Sequence, residues 1–193
     1  LYYSPQIWCS DDADAIERLK IQEGTALIYP LSAIGAHVAD CPNHTVGRTT
    51  PFETRGHVAL AGTFGYELDV TRIPEEDRNM IPEQVAMYHK YNDLVREGDY
   101  YRVASYSENH YFDCYGVVSK DKKEALYTFV QVLGRPNCRS RRIYFKGLDP
   151  DVRYRVEGEE EVYLGDVLMK AGYLVRDLHG DFKSRLIHIV EVK

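Results

Sequence analysis

The chain has 193 residues, a length that allows one good-sized domain or two small ones. Hydrophobic residues make up 44% and charged residues 28%, an ordinary balance that can bury a core. The net charge of −6 argues against a surface for nucleic acid or for an anionic membrane, because either would need clustered lysine and arginine. The one basic cluster, residues 139–142, is followed directly by a predicted strand, so we interpret it as an exposed strand start or a partner contact.

Membrane and metal partners are also not predicted. No stretch approaches the roughly 20 apolar residues of a membrane span. The cysteines are widely spaced, with no Cys-x-x-Cys pair, which suits a reducing cytoplasm. His37, Cys41 and His44 could surround a metal ion, but a loop rich in Pro, Asn and Gly accounts for them without one.

The first elements in chain order are a strand and a helix. Residues 2–8 form a short apolar run that predicts a strand, and Leu1 already belongs to it. Asp14 is a suitable N-cap, and Glu17 three residues later completes a capping box. We expect the helix to close at Gly24.

The next elements continue the alternation. The apolar run at residues 25–30 predicts a strand buried on both faces of a parallel sheet, and residues 31–49 predict a long loop. Thr50-Pro51-Phe52-Glu53 indicates a second capping box, which starts a helix that runs to about residue 62.

Residues 64–70 predict the third strand, and Pro74 and Pro82 each indicate a helix start, with Gly98 at the end of the second. The order β-α-β-α-β-α predicts a parallel sheet with right-handed crossovers.

From Asp99 onwards the pattern changes to short strands separated by turn signals. This spacing predicts an antiparallel sandwich or a small barrel, with a domain boundary near Gly98. The strand-like runs are residues 100–103, 111–119, 124–133, 141–146, 152–157, 160–164 and 182–192.

The segment that bears chemistry is Trp8-Cys9-Ser10-Asp11-Asp12-Ala13-Asp14, between the first strand and the first helix. Carboxylates at this point are how α/β barrels carry catalytic groups at the C-terminal face. Asp11 and Asp12 are adjacent and therefore point in different directions, so one of them would face a substrate. The competing interpretation is structural, since N-caps alone would explain Ser10, Asp11 and Asp14.

Several segments together resemble the microbial α-galactosidases of glycoside hydrolase family 36. The resemblance covers nearly the whole chain and is strongest over residues 2–70. It rests on residues 2–19 and on Gly35-Ala36-His37-Val38, Pro42-Asn43-His44, Arg55-Gly56-His57-Val58-Ala59, Phe64-Gly65-Tyr66-Glu67-Leu68-Asp69 and Gly147-Leu148-Asp149-Pro150-Asp151.

The resemblance implies a catalytic role for one residue of the aspartate segment. In that family the second aspartate of the Trp-Cys-Ser-Asp-Asp run is the general acid/base, which falls here on Asp12. Ala13 stands where the family usually has Thr, a change that removes a hydroxyl but no catalytic group. Asp11 and Trp8 are candidates for binding the sugar. The alternative for Asp11 is hydrogen bonding or capping, and the alternative for Trp8 is packing in the core. No metal or cofactor is implied.

The family's nucleophile lies in a Lys-Trp-Asp motif, and that motif does not occur in this chain. Asp69 ends a predicted parallel strand and is the best substitute, but the resemblance makes that strand the last of the barrel. We expect Asp69 instead to contact the following loop or Arg72. The nucleophile is therefore expected upstream of this chain.

The fold class we predict is α/β plus all-β: residues 1–98 as the C-terminal part of a (β/α)8 barrel, and residues 99–193 as an antiparallel β-sandwich domain. A complete barrel takes about 250 residues, so this piece should need the missing N-terminal part of the same chain. The resemblance implies a cytoplasmic homotetramer that hydrolyses raffinose-type oligosaccharides with retention.

Two alternatives stay open. The chain could be a non-catalytic sugar-binding or assembly module, which 16 tyrosines would suit if they were exposed. Buried cross-strand pairs explain the tyrosines equally well. The other alternative is a sister activity, such as α-N-acetylgalactosaminidase or galactosyl transfer.

Overall fold

The computed structural model describes residues 2–138 and 140–192. Leu1 of the predicted first strand, Arg139 of the basic cluster and Lys193 lie outside the described residues. The chain forms two compact units, residues 1–96 and residues 97–193.

The first unit alternates helices with parallel strands. Strands β1 and β2 pair in parallel, with Ala36 opposite Phe64 and Val38 opposite Tyr66. Their apolar side chains pack against Phe52 of a neighbouring helix. The elements are α1 (Ala15–Ala26), a 3-10 turn (Leu31–Ala33), β1 (Gly35–Ala39), α2 (Phe52–Ala59), β2 (Thr63–Glu67) and α3 (Glu75–Glu97).

The prediction of a strand at residues 25–30 is wrong. Helix α1 runs on through Gly24 to Ala26, and the Thr25 hydroxyl donates to the carbonyl of Ile21 at 2.8 Å. Leu27 and Ile28, which were expected inside the sheet, are 68% and 80% exposed. The apolar run is therefore a helix end followed by a turn.

The strand that is buried on both faces lies in the region predicted to be a loop. It is β1, in which only His37 is not fully buried. Its sequence, Gly-Ala-His-Val-Ala, has one β-branched residue, so strand propensity gives little signal there. Small side chains instead suit the close approach of neighbouring elements. A Cβ added at Gly62 would lie 2.6 Å from the carbonyl oxygen of Ile34.

The first predicted strand is reduced to a single bridge. Ile7 pairs in parallel with Ile34, through hydrogen bonds of Ile7 N to Ala33 O at 2.6 Å and Gly35 N to Ile7 O at 2.9 Å. Tyr2 and Tyr3 are more than nine-tenths exposed. The expected parallel neighbour of β1 is thus present at one residue only.

Two other helix details differ from expectation. The N-cap of α2 is Pro51, with no side-chain hydrogen bond to the helix, so Thr50 and Glu53 do not form a capping box. Pro82 lies inside α3 instead of starting a helix. None of the helices within residues 2–138 and 140–192 is both long and apolar enough to cross a membrane.

Buried polar side chains fasten α2 to its neighbours. Arg55 donates to the carbonyl of Ala39 at 2.7 Å and to Asp77 of α3 at 2.9 Å. Gln84 of α3 donates to the carbonyl of Phe52 at 2.9 Å and accepts from the Tyr66 hydroxyl at 2.9 Å. These bonds orient α2 and α3 on the two-stranded sheet.

The second unit consists of an antiparallel sheet of six strands in the order β3-β4-β5-β10-β7-β8 and a two-stranded sheet, β6-β9. The predicted strands of this half are confirmed within a few residues, whereas β9 and the π-helical turn Val167–Ala171 were not predicted. The elements are β3 (Asp99–Ala104), α4 (Tyr106–Asn109), β4 (Phe112–Val118), β5 (Glu124–Gln131), β6 (Ser140–Ile143), β7 (Arg153–Val156), β8 (Val162–Leu164), β9 (Tyr173–Arg176) and β10 (Lys183–Glu191).

Aromatic rings join the two sheets. The Phe145 ring lies 4.2 Å from that of Tyr127 on β5 and 5.7 Å from that of Tyr173 on β9. Gly116 is the cross-strand partner of Tyr127, and a Cβ there would lie 2.2 Å from the ring. The tyrosines of this core, Tyr127, Tyr154 and Tyr173, are buried, in agreement with the cross-strand interpretation of the tyrosine content.

Candidate active site

The chain turns sharply between Ile7 and α1. Cys9 has a left-handed backbone conformation, with φ of 51°. The amide of Ser10 donates to the carbonyl of Trp8 across this turn. The turn directs residues 10–14 away from the line of the Ile7 bridge and into the helix.

Side chains of this segment hold its own backbone. The Ser10 hydroxyl accepts from the amide of Asp12 at 3.1 Å, and Oδ1 of Asp12 accepts from the amide of Asp14 at 3.0 Å. Oδ2 of Asp14 accepts from the amides of Ile16 and Glu17, both at 3.0 Å. Asp14 is therefore the N-cap of α1, and capping does not account for the carboxyl group of Asp11 or Asp12.

The three aspartates differ in exposure. Asp14 is buried, Asp12 is partly buried and Asp11 is exposed. Asp12 thus combines a carboxylate oxygen that is oriented by a backbone amide with partial access to solvent. Among the three, it is the carboxylate best suited to exchange a proton with a bound molecule.

A loop arginine fixes the turn from the other side. Arg48 forms an ion pair with Asp14 and lies 3.2 Å from the carboxylate of Glu17. The loop itself is closed by the side chain of Asn43, which accepts from the amides of Thr45 and Val46 at 2.9 and 3.1 Å. The start of α1 is therefore anchored by the loop that follows β1.

A second arginine, Arg18, lies buried on the first turns of α1. Its guanidinium donates to the carbonyl of Gly35 and, at 3.1 Å, to Gln22. Burial lowers the pKa of Arg18, and the carboxylates of Asp12 and Glu67 oppose that shift. The Arg18 guanidinium therefore places a fixed positive charge near the aspartate turn.

An aromatic pair completes the described surroundings of the turn. The rings of Trp8 and His37 have centroids 4.5 Å apart and planes inclined by 31°. Trp8 is 49% exposed and does not belong to the core of the described residues. Burial lowers the pKa of His37, whose ring lies over Gly65, the partner of His37 on β2. The indole of Trp8 therefore packs against the imidazole of His37.

Asp69 and His57, which the sequence analysis also considered, make their described contacts elsewhere. Asp69 is exposed and accepts from Thr71 N at 2.9 Å and Thr71 Oγ1 at 2.6 Å, and these bonds lower the pKa of Asp69. This is the loop contact expected for Asp69. His57 is buried in α2, and burial lowers its pKa to about 4. Within the described residues no group of His, Cys, Asp and Glu is arranged to hold a metal ion.

Sequence reasoning missed both arginines of this region. Arg18 lies one helical turn after Asp14, and that spacing could have indicated a place near the aspartates. Arg48 lies 34 positions from Asp14, and nothing local in the sequence points to their pairing.

The parallel strands, the helices between them and the antiparallel domain define the class of the fold, which is α/β plus all-β. The family model described as Melibiase matches residues 1–98. The model for the C-terminal domain of glycosyl hydrolase family 36 matches residues 113–189. The chain therefore belongs to glycoside hydrolase family 36.

The chain is similar to two curated relatives over nearly its whole length. It is 45% identical over 193 residues to the α-galactosidase AgaA of Geobacillus stearothermophilus, covering 100% of this chain and 26% of the relative. It is 43% identical over 189 residues to the α-galactosidase Mel36A of Lactobacillus acidophilus, covering 97% and 25%.

A solved structure shows the same fold. A variant of AgaA from Geobacillus stearothermophilus in complex with raffinose superposes with a TM-score of 0.95, at 44% identity, over 100% of this chain and 26% of that one. The fold class expected from the sequence, the C-terminal part of a (β/α)8 barrel and an antiparallel β-domain, is confirmed. The chain spans about a quarter of the length of the relatives it matches.

Proposed function

We propose that the polypeptide that carries this chain is a retaining α-galactosidase acting on raffinose-type oligosaccharides, with Asp12 as its general acid/base. The observation that carries the proposal is the half-buried carboxyl group of Asp12, held by the Asp14 amide at the strand-to-helix turn. Family membership over the whole chain and the raffinose complex of a relative support the substrate class.

The proposed reaction has two displacements at the anomeric carbon. In the first, a nucleophilic carboxylate attacks that carbon, its bond to the leaving oxygen breaks, and Asp12 gives that oxygen its proton. In the second, the Asp12 carboxylate takes a proton from water as the water oxygen attacks the anomeric carbon. The bond from that carbon to the nucleophilic carboxylate then breaks, and galactose leaves with retained configuration. This geometry requires carboxyl groups about 5–5.5 Å apart across the sugar.

Two neighbours of Asp12 are assigned to sugar binding. Trp8, whose ring packs against that of His37, is proposed to stack on the sugar, and Asp11 to hydrogen-bond to it. The chain contains no Lys-Trp-Asp motif, so the proposal assigns the nucleophile to a part of the polypeptide outside these 193 residues.

The test is the dependence of Asp12→Asn on the leaving group. With raffinose, which needs its leaving oxygen protonated, kcat/KM should fall by about 10²–10⁴, the usual contribution of general acid catalysis. With 2,4-dinitrophenyl α-galactoside, whose leaving group needs no proton, it should fall less than tenfold. Asp11→Asn is the matched control and should show a small loss that is equal on both substrates.

Equal and large losses of Asp12→Asn on both substrates would contradict the acid/base role. Such a result would mean that the asparagine disturbs binding or the fold, not proton transfer. The KM for raffinose and hydrogen exchange of α1 separate these two causes.

The proposal extends to organisation and location. We assign residues 1–98 to the catalytic barrel and residues 99–193 to the β-domain, in a homotetramer that works in the cytoplasm. Within the described residues all four cysteines are free thiols, which is consistent with a reducing compartment. Light scattering of the polypeptide that carries the chain tests the tetramer.

A further inference from the structure

A groove in the second unit is not used by the proposed reaction. Its volume is about 640 Å³, within the range of ligand pockets. Its lining comes from strands β6, β8, β9 and β10 and from residues 158–161, between β7 and β8. Charged and aromatic side chains predominate along its walls.

Three arginines supply the donors of the groove. Arg142 is held in place because it donates to the carbonyl of Ala171 at 2.7 Å. Arg176 and Arg185 also line the groove, and neither guanidinium forms an ion pair with a carboxylate of the described residues. Two planar forks of N–H donors are thus available to a ligand.

Carboxylates supply the acceptors. Glu159, Glu160 and Glu161 follow one another along the rim, and Asp177 lines the groove from the end of β9. The hydroxyl of Tyr173, whose ring is buried in the core, donates to Glu159 and orients that carboxylate. The wall is therefore partly preorganised.

The mixture of charges restricts the class of ligand. Four carboxylates oppose an anion, three guanidinium groups oppose a cation, and an apolar molecule would leave both sets without partners. A sugar hydroxyl both donates and accepts, so neighbouring hydroxyls can bind guanidinium and carboxylate groups together. Tyr163, partly buried on β8, adds a ring on which a sugar can stack.

We propose that this groove is a second, non-catalytic binding site for a neutral oligosaccharide. The site lies entirely in the second unit and does not depend on the role of Asp12. Its function would be to hold a chain of sugars on the polypeptide independently of turnover.

The experiment measures binding of stachyose to the polypeptide that carries the chain. Every protein carries Asp12→Asn, so that sugar is not consumed, and saturating 1-deoxygalactonojirimycin occupies the proposed catalytic site. Calorimetry or ligand-observed NMR then reports binding elsewhere. We expect saturable binding, with the dissociation constant raised at least tenfold by Arg176→Met/Arg185→Met together.

The controls separate loss of the site from loss of the fold. Arg153→Met changes an exposed arginine of β7 that does not line the groove, and should leave binding unchanged within twofold. Arg176→Gln alone changes an exposed side chain and should still weaken binding, with unchanged hydrogen exchange in β9 and β10.

Three results would overturn the proposal. They are absence of saturable binding, binding equally strong in the double variant, and a crystal structure of the longer polypeptide in which another protein segment fills the groove. If the proposed catalytic function fails instead, the inhibitor will not bind, and the effect of the arginine variants on stachyose will still be measurable.

Discussion

Three aspartates within four residues perform different tasks because their carboxylates contact different groups. Asp14 accepts hydrogen bonds from two amides of α1 and forms an ion pair with Arg48, so its role is structural. Asp12 accepts a hydrogen bond from one amide and is partly accessible to solvent. Asp11 is exposed. The sequence pattern predicts Asp14 as the N-cap, and the bonds from the amides of Ile16 and Glu17 confirm that prediction. The predicted capping box is not completed, because the Asp14 amide donates to Asp12 and not to Glu17.

Removal of the N-cap should loosen the start of α1. Asp14→Ala leaves two amides without their acceptor, and caps of this kind contribute about 0.5–2 kcal/mol. Hydrogen exchange of the α1 amides should therefore speed up by about twofold to thirtyfold, since 1.4 kcal/mol is a factor of ten. Loss of the Arg48 pair adds to the effect.

Asp11→Ala is the matched control for this prediction and should leave exchange in α1 unchanged. If both substitutions loosen the helix equally, the assignment of Asp14 as the N-cap is incorrect.

The burial of His57 should make the stability of the fold depend on pH. Burial lowers the folded-state pKa of His57 from its usual 6.5 to about 4, so the folded state binds this proton less readily than the unfolded state. The stabilising contribution is fully present above pH 6.5, falls as the pH drops towards 4, and does not change further below that. The linkage amounts to about 3 kcal/mol as an upper estimate.

Urea unfolding of the wild type and of His57→Gln between pH 7 and pH 4 measures this contribution. The wild type should lose more stability than the variant over that interval. Parallel pH profiles would contradict the burial of a neutral imidazole at this position.

At the scale of elements, α2 depends on close approach to α3. A Cβ added at Gly56 would lie 2.3 Å from the side-chain nitrogen of Gln84, which donates to the carbonyl of Phe52. Gly24 in α1 has nothing within 4 Å of the same position. There is therefore no room for a larger side chain at Gly56, whereas there is room for one at Gly24.

Alanine substitutions should separate the two glycines. Gly56→Ala forces Gln84 out of its hydrogen bonds and should destabilise the first unit by about 1–3 kcal/mol, the cost of overpacking a core. Gly24→Ala should stabilise α1 by up to about 1 kcal/mol, the difference in helix propensity. Hydrogen exchange of α1, α2 and α3 is the measurement, and stabilisation by both substitutions would contradict the packing described here.

The success of sequence prediction also differs between elements. The strands of the second unit were found because polar turns separate short runs of β-branched and aromatic residues. In the first unit β1 was missed, since its small residues serve close packing and carry little strand propensity. The run at Leu27 and Ile28 resembled a buried strand, but those side chains are exposed, and a local pattern does not show what covers an apolar residue.

At the scale of the whole molecule, the chain combines part of a (β/α)8 barrel with a β-domain that has a groove of its own. Family 36 membership was predictable because the resemblance extended over almost every element. The groove was not, because Arg142, Glu160 and Arg185 come from separate parts of the chain and meet only when the two sheets assemble. The partners of the aspartate turn, Arg18 and Arg48, were missed for the same physical reason.

Asp12 is proposed as the acid/base of a retaining galactosidase, and the reaction of its asparagine variant tests that role. The most direct measurement is the product that Asp12→Asn, in the polypeptide that carries the chain, forms from 2,4-dinitrophenyl α-galactoside in the presence of azide. Azide can attack the galactosyl-enzyme intermediate without a base, so turnover should recover and the product should be galactosyl azide with retained α configuration. An inverted β product, or no acceleration by azide, would contradict the assignment of Asp12.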